Sequence, residues 1–296
     1  MKVSDKEIAD VFSPFIVTRF QEGDPRWRKI VEGVAGRMRR QRLRRQLLGW
    51  LPRFRRTQRG LVQSYSEQWS RITFEQQLAS RKPLPFEWRD EGMLAYGAAR
   101  KKLHLFLLAR LLRELSPQSV LEVGSGNGFN LLLLAQQFPR ITFTGIELTA
   151  GGVAAARAAS NEACLPAIVS QFAAGPSVDK SAHGKIHLCQ ASAAALPFAS
   201  KSFDAVFTIL ALEQMEEVRE QALTEISRVA RRHVLMIEPF RDWNATGHRR
   251  DYIVANDYFS AWLSDLPKFG LEPGFTLSDI PNKLNFRVGL VVADVD

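Results

Sequence analysis

Residues Ser119–Ala135 read SVLEVGSGNGFNLLLLA and set three glycines, Gly124, Gly126 and Gly128, between two apolar runs. SVLEV is a short aliphatic, β-branched run of strand character, and GFNLLLLA continues in helical style. Glycine lets the backbone turn tightly and come close to whatever lies against it. The stretch therefore predicts a strand, a tight turn and a helix, with a ligand seated against bare main chain at the turn.

The chain downstream repeats this alternation. ITFTGIEL (Ile141–Leu148), KIHLCQA (Lys185–Ala191), SFDAVFTIL (Ser202–Leu210) and HVLMIEPF (His233–Phe240) read as strands, and helical segments run between them. That order predicts a parallel sheet covered on both faces. PGFTLSD and LNFRVGLVVADV follow with no helix between them and predict an antiparallel pair at one edge. The expected architecture is α/β: a Rossmann-like, seven-stranded mixed sheet with its last strand antiparallel and helices on both faces.

The region before Ser119 has a different texture. Trp27, Ile30, Val31, Val34, Ala35 and Met38 fall at helical spacing, and the pattern continues through Leu43, Leu47, Leu48 and Trp50 until Pro52 interrupts it. Tyr65–Leu78 predicts a further helix. RKPLPFEW (Arg81–Trp88) reads as a loop because of its two prolines, and a helix from about Met93 to Leu115 ends before Pro117. This divides the chain into a helical N-terminal extension or lid, residues 1–115, and a ligand-binding domain, residues 116–296.

Glu122 stands two positions before the first glycine, and the order E-x-G-x-G-x-G after an apolar strand resembles motif I of the class I S-adenosylmethionine-dependent methyltransferases. Glu147 ends the second strand of the domain, where an acid can accept hydrogen bonds from both ribose hydroxyls. LPFASKSFDAVFTILALEQM and VLMIEPF resemble the fourth and fifth strand regions of the same family. The likeness runs from about Ser119 to Asp296 and is closest to the methyltransferase type 11 group.

That resemblance implies S-adenosylmethionine as cofactor and methyl transfer as the reaction. It implies that Gly124, Ser125, Gly126, Asn127 and Gly128 receive the methionine part and ribose, that Glu122 orients the methionine amino group, and that Glu147, with Leu148 beside it, holds the ribose. Ser192, Ala193 and Ile209 would line the adenine and sulfonium side, with Ser192 where relatives often carry an acid. Tyr65 and Trp69 are similar to an aromatic pair that closes over the cofactor in small-molecule methyltransferases. Ordinary helix packing explains that pair as well.

An oxygen or carbon acceptor must lose a proton. Gln214 occupies the place where relatives frequently show a histidine, and it cannot serve as a base. Glu213 is one candidate, although capping the next helix would also account for it. His248, in a loop beyond the fifth strand, is the other. His104 on an apolar helix reads as a packed core residue. The chain lacks the Asn/Asp-Pro-Pro-aromatic stretch of nucleobase amino-methylating relatives, which argues against nucleobase N-methylation though not against other RNA acceptors, and the expected acceptor is a small or lipid-like molecule methylated on oxygen or carbon. The alternatives are an RNA methyltransferase recruited by a basic segment and a non-catalytic S-adenosylmethionine-binding protein.

The 296 residues are 46% hydrophobic and 24% charged, ordinary for a globular chain with a sizeable core. Two cysteines, Cys164 and Cys189, make neither a disulfide framework nor a metal site. No signal peptide and no transmembrane segment is expected, and a cytoplasmic protein, peripheral to the inner membrane surface or not, fits these features. The net charge of +9 is concentrated in one place. Arg26–Arg59 holds thirteen Arg or Lys against one acid, Glu32. A solvated lid, an anionic membrane surface, RNA or an acidic protein would each match such a segment.

Overall fold

The computed structural model describes residues 3–51, 58–71 and 73–296. Pro52, and with it Arg53, Arg55 and Arg56 of the basic segment, lies outside the described residues.

Along the chain come α1 (Asp5–Phe12), β1 (Ile16–Phe20), α2 (Pro25–Leu48), α3 (Gln58–Arg71), α4 (Phe74–Leu78), β2 (Pro83–Trp88), β3 (Glu91–Tyr96) and α5 (Ala98–Leu115). They are followed by β4 (Ser119–Val123), α6 (Phe129–Gln137), β5 (Thr142–Glu147), α7 (Ala150–Ser160), α8 (Ala167–Ser170), β6 (His187–Gln190) and β7 (Phe203–Ile209). The chain finishes with α9 (Arg219–Val229), β8 (Ala230–Glu238), α10 (Gly247–Ala255), β9 (Leu271–Leu277), β10 (Asn282–Lys283) and β11 (Gly289–Val295).

The large sheet has the order β6-β5-β4-β7-β8-β11-β9. The pairs β4–β5, β4–β7, β5–β6 and β7–β8 are parallel, and β11 runs antiparallel to both β8 and β9. This is the expected seven-stranded Rossmann-like sheet. β4 lies inside the sheet, third in this order, with the next strand on one side and a later strand on the other, and that switch opens a crevice at the carboxyl ends. Asp204 fixes the start of the β4–β7 pair. Its Oδ2 accepts from the Gln118 and Ser119 N–H groups at 2.9 and 3.3 Å, and its Oδ1 from Arg231 at 2.7 Å. Burial would raise this carboxyl, but the two backbone donors and Arg231 outweigh it and hold the group below the usual range.

α6 is buried at every position but Asn130, and its middle is a run of four leucines, as a helix enclosed on nearly every side should be. Leu131–Leu134 are fully buried, and Phe74 of α4 and Phe172 pack on Phe129. α5 likewise contributes ten buried residues, His104 among them. One hydrophobic core runs from Ile8, Phe12, Phe86 and Met93 in the extension through α5 and α6 to Val120, Phe207 and Leu290. The core is thus continuous across residues 115/116.

Two expectations about the extension need correcting. Pro83–Trp88 is not a loop but strand β2, and 93–96 belongs to strand β3, so α5 begins only at Ala98. These strands form a second, four-stranded sheet in the order β1-β3-β2-β10. Pro83 and Pro85 are tolerated because the backbone polar groups of alternate residues point to opposite sides of a strand. The Pro85 carbonyl accepts from Leu284 on the β10 side, where β10 is only two residues long, so the missing proline donors face a largely open edge rather than β3. Near the C-terminal end, DYFSAWLSDL (Asp257–Leu266) has the spacing of a helix, but a 3-10 segment, Leu263–Phe269, is the helical part and begins only near its end.

α2 lies across this assembly. Trp27 stacks on Phe20 at 5.3 Å and covers Gly92, where a Cβ atom would collide with its ring. Val34 and Met38 pack against Leu284. Arg42 pairs with Asp251 at 2.7 Å and Arg45 with Asp257 at 2.5 Å, tying α2 to α10 and the turn after it.

Candidate functional site

A cleft of about 740 Å³ opens at the switch point, between the glycine loop, the start of α5, the end of β7 and α3 of the extension. Its size is that of a site for one or two small ligands.

The glycine loop is held by the neighbouring strand. The Gly124 and Ser125 N–H groups both donate to the Ile146 carbonyl at 2.9 Å, and Gly128 N–H donates to the Ser125 carbonyl at 2.8 Å. All three glycines have positive φ, at 78°, 54° and 78°, which favours glycine. A Cβ on Gly124 would stand 2.6 Å from Ala211, and one on Gly126 2.9 Å from the Trp69 ring. Gly124, Ser125, Gly126 and Asn127 line the cleft. Gly128 is not among the lining residues; it starts α6 and lets that helix approach Ala156 of α7.

Two carboxylates stand under the loop. Glu147 ends β5 and is buried, with Oε2 accepting from Gly126 N–H at 3.2 Å and Oε1 from the Thr149 N–H and hydroxyl at 3.0 and 2.7 Å. Glu122 lies in β4, 2% exposed. Its Oε1 accepts from Asn130 Nδ2 at 2.7 Å, whereas its Oε2 is buried with no hydrogen-bond partner among the described residues. Burial pushes the Glu122 carboxyl up to about 8; Asn130 opposes the rise and the charge of Glu147 adds to it. The Ser125 hydroxyl is also buried without a partner among the described residues.

The opposite wall comes from α5. Arg100, Lys101 and His104 share a face, since positions i, i+1 and i+4 of a helix lie close together, and all three line the cleft. Lys101 Nζ sits 5.0 Å from the Phe129 ring centre, and Arg100 is 5.9 Å from that of Phe286. Burial lowers Lys101 to about 8, with Arg100 adding to the fall and Glu122 opposing it. Burial, reinforced by Arg100 and Lys101, holds the His104 imidazole well below its usual range and so neutral. His104 is thus a packed residue of α5 that also reaches the cleft. None of these three was legible as a site residue, although the basic run RKKLH interrupting an apolar helix carried the signal.

Past β7 the chain turns at Leu210, whose φ is 52°. The Ala211 and Leu212 N–H groups donate to Glu238 Oε1 at 2.9 and 3.1 Å, so Glu238 acts as an internal cap that fixes this turn. Burial pushes the Glu238 carboxyl up to about 8, and nearby Glu213 reinforces it. Glu213 is 7% exposed, lines the cleft and accepts from Gln214 Nε2 at 2.7 Å.

The remaining sequence candidates divide. Leu148, Ile209, Tyr65 and Trp69 line the cleft, with Tyr65 and Trp69 stacked at 6.2 Å. α3 lies directly on α7, close enough that a side chain on Gly151 would strike Ser66. Ser192 and Ala193 do not line it. The Ser192 hydroxyl accepts from Ala194 N–H at 3.2 Å within its own turn, and Ala193 packs into the core beneath β4. His248 is also outside the lining: its Nε2 lies 2.8 Å from the Leu284 carbonyl, an anchor between α10 and the segment after β10. Among the described residues no group of His, Cys, Asp or Glu is arranged to hold a metal ion, and no helix is long and apolar enough to cross a membrane.

Residues 121–237 match the family model described as a methyltransferase domain. No curated protein matches the chain. Among solved structures the chain is similar to an S-adenosylmethionine-dependent methyltransferase from Methanosarcina mazei, at 16% identity over 60% of this chain and 92% of that one, with a TM-score of 0.43. It is also similar to the magnesium protoporphyrin IX methyltransferase of Synechocystis crystallised with S-adenosylhomocysteine, at 12% identity over 68% and 89% of the two chains, with a TM-score of 0.48. A geranyl diphosphate methyltransferase in complex with GPP and sinefungin matches at 12% identity over 64% and 76%, with a TM-score of 0.45.

Proposed function

We propose, from the match of residues 121–237 to a methyltransferase domain, that S-adenosylmethionine-dependent methyl transfer takes place in the cleft above Gly126, to an oxygen or carbon atom of a small or lipid-like acceptor. The observation that carries this reading is the buried, unpartnered Oε2 of Glu122 beneath the glycine loop. A carboxylate oxygen left without a donor in a buried wall is costly unless a ligand supplies one. The ammonium of an amino-acid ligand does so, and Lys101, whose charge reaches Glu122 from across the cleft, suits the ligand's carboxylate. Glu147 then has lone pairs left for ribose hydroxyls, and Ile209, Leu148 and Trp69 offer apolar contact.

The cofactor contributes a methyl group already activated on a sulfonium. What remains for the chain is to hold the acceptor about 3–3.5 Å away and in line, to exclude water, and to take up a proton. Trp69 lies over Gly126 and shields that side. Glu213 is the residue we assign to receive the acceptor's proton, with Glu238 holding its turn in place. Gln214 accepts no proton itself but donates to Glu213 and orients it.

Calorimetry with S-adenosylhomocysteine tests the site. Glu147→Ala removes charge-assisted hydrogen bonds and should weaken binding about tenfold or more. Gly126→Arg should abolish it, because the side chain meets Trp69 on a backbone with positive φ. Unchanged affinity in both variants would refute the assignment. The acceptor is reached by incubating cell extract with cofactor labelled in the methyl group and identifying labelled products by mass spectrometry.

A lipid-like acceptor gains support from α2. Leu43 and Leu47 are 49% and 72% exposed, one helical turn apart on the side turned away from buried Val34 and Met38, and Trp50, 70% exposed, follows in the turn after α2. Arg39 and Arg40 flank them, also exposed. An apolar stripe bordered by arginines suits an anionic membrane surface.

A further inference from the structure

The cleft holds more positive charge than the cofactor needs, and the excess lies on one side. Lys101 interacts with Glu122, below the glycine loop. Arg100, one residue earlier, instead interacts with Glu213, Tyr252 and Tyr258, beyond β7 and around α10. The two adjacent cations therefore serve different halves of the cavity. Arg100 is half-buried, lines the cleft, and makes neither a hydrogen bond nor an ion pair among the described residues. Its guanidinium lies 5.9 Å from Phe286, whose ring stacks on Tyr252 at 5.2 Å and 6°. Lys283 of β10 stands close behind, and the charge of Arg100, followed by burial, lowers it to about 7.

Like charges packed at the edge of a cavity repel each other and lose hydration, an arrangement that an incoming anion relieves. Glu213 is the acid that faces both Arg100 and Lys283, so it offsets one charge of two. A guanidinium offers a planar fork of donors matched to a carboxylate or a phosphate.

Resting on the methyl-transfer reading above, we infer that the acceptor carries an anionic head group, a carboxylate or a phosphate, and that Arg100 at the first turn of α5 receives it while the rest of the acceptor lies against the apolar wall of Leu210, Met215 and Val62. Arg100 then sets acceptor specificity: it holds one end of the molecule so that the atom to be methylated faces the cofactor side.

The test uses the full chain saturated with S-adenosylhomocysteine, titrated at low salt with octanoate, octyl phosphate and octanol. At least one of the two anionic probes should bind about tenfold or more tightly than octanol. Whichever does so identifies the head group. Arg100→Gln should erase that preference while leaving octanol and S-adenosylhomocysteine affinities unchanged, and Arg100→Lys should restore part of it. Equal binding of all three probes to the natural chain overturns the inference, and this comparison needs no variant. Retention of anion preference by a folded Arg100→Gln protein overturns it as well. Failure of the natural chain to bind S-adenosylhomocysteine is a separate result, which removes the cofactor reading and this inference with it.

Discussion

Glu122 shows how one side chain couples ligand binding to stability. In the folded chain it keeps its proton up to about pH 8, against 4.5 for an ordinary glutamate. Between those values the folded state binds more protons than the unfolded one, so this site's contribution to stability falls as pH rises. Glu122→Gln removes the titration. The variant should melt above the natural protein at pH 8, the two should converge near pH 4.5, and scanning calorimetry across that range checks it. A bound ammonium favours the ionised carboxylate, so S-adenosylhomocysteine binding at pH 7 should release a proton. The heat of binding should then depend on the buffer's ionisation enthalpy for the natural chain and not for Glu122→Gln. That Gly124, Gly126, Glu122 and Glu147 meet at one cleft could be read from the sequence because their positions are local: the turn and the strand ends determine them. Arg100, Lys101 and His104 could not, because their meaning depends on β4, β7 and β10 lying opposite them. Ser192 was placed by likeness to a motif and His248 by its position beyond the fifth strand, and both lie outside the cleft lining, hydrogen-bonded within their own turn and to the Leu284 carbonyl.

Secondary elements were legible where periodicity alone decides. The seven strands of the large sheet and α2 follow directly from apolar spacing. β2 was hidden by Pro83 and Pro85, because a proline argues against a strand unless the donor it lacks faces an open side, and that side is set by a partner some two hundred residues away. α2 raises the element-scale prediction. It keeps Val34 and Met38 inside and fixes its position with Arg42 and Arg45, so its outward stripe can change without loss of fold. Leu47→Asp together with Trp50→Ala should abolish co-sedimentation with phosphatidylglycerol vesicles while the melting temperature and S-adenosylhomocysteine affinity stay as they were. Equal sedimentation of the natural chain with phosphatidylglycerol and with pure phosphatidylcholine would instead leave α2 as a solvated wall of the cleft.

For the molecule as a whole, the shared core joins what the sequence divides at residue 115. Ile8, Phe12 and Met93 belong to the same apolar cluster as Phe207 and Leu290. Heating should therefore give one calorimetric transition rather than one for each part. Asn282 is where the two parts are joined, buried at 3% exposure. It donates to the Ile280 and Val288 carbonyls at 3.1 and 3.0 Å and accepts from Val288 N–H at 2.8 Å. Asn282→Ala strands those groups, and a loss of about 1–3 kcal/mol is expected from denaturant titration. Were residues 1–115 an independent unit, the variant would show two transitions; with a shared core it should only move the single one.

The two-residue strand β10 also bears on how the chain is born. The small sheet borrows its last strand from residues 282–283, and β11 enters the large sheet later still, between β8 and β9. The small sheet is not complete until residues 282–283 have left the ribosome, nor the large one until residues 289–295 have. The nascent polypeptide therefore presents an open flank on β2 from residue 88 until residue 282 is made, and another on β8 from residue 238 until residue 289, with the arginine-rich α2 already made. Chaperones that cover unpaired strands have their longest opportunity on this protein before β10 and β11 emerge.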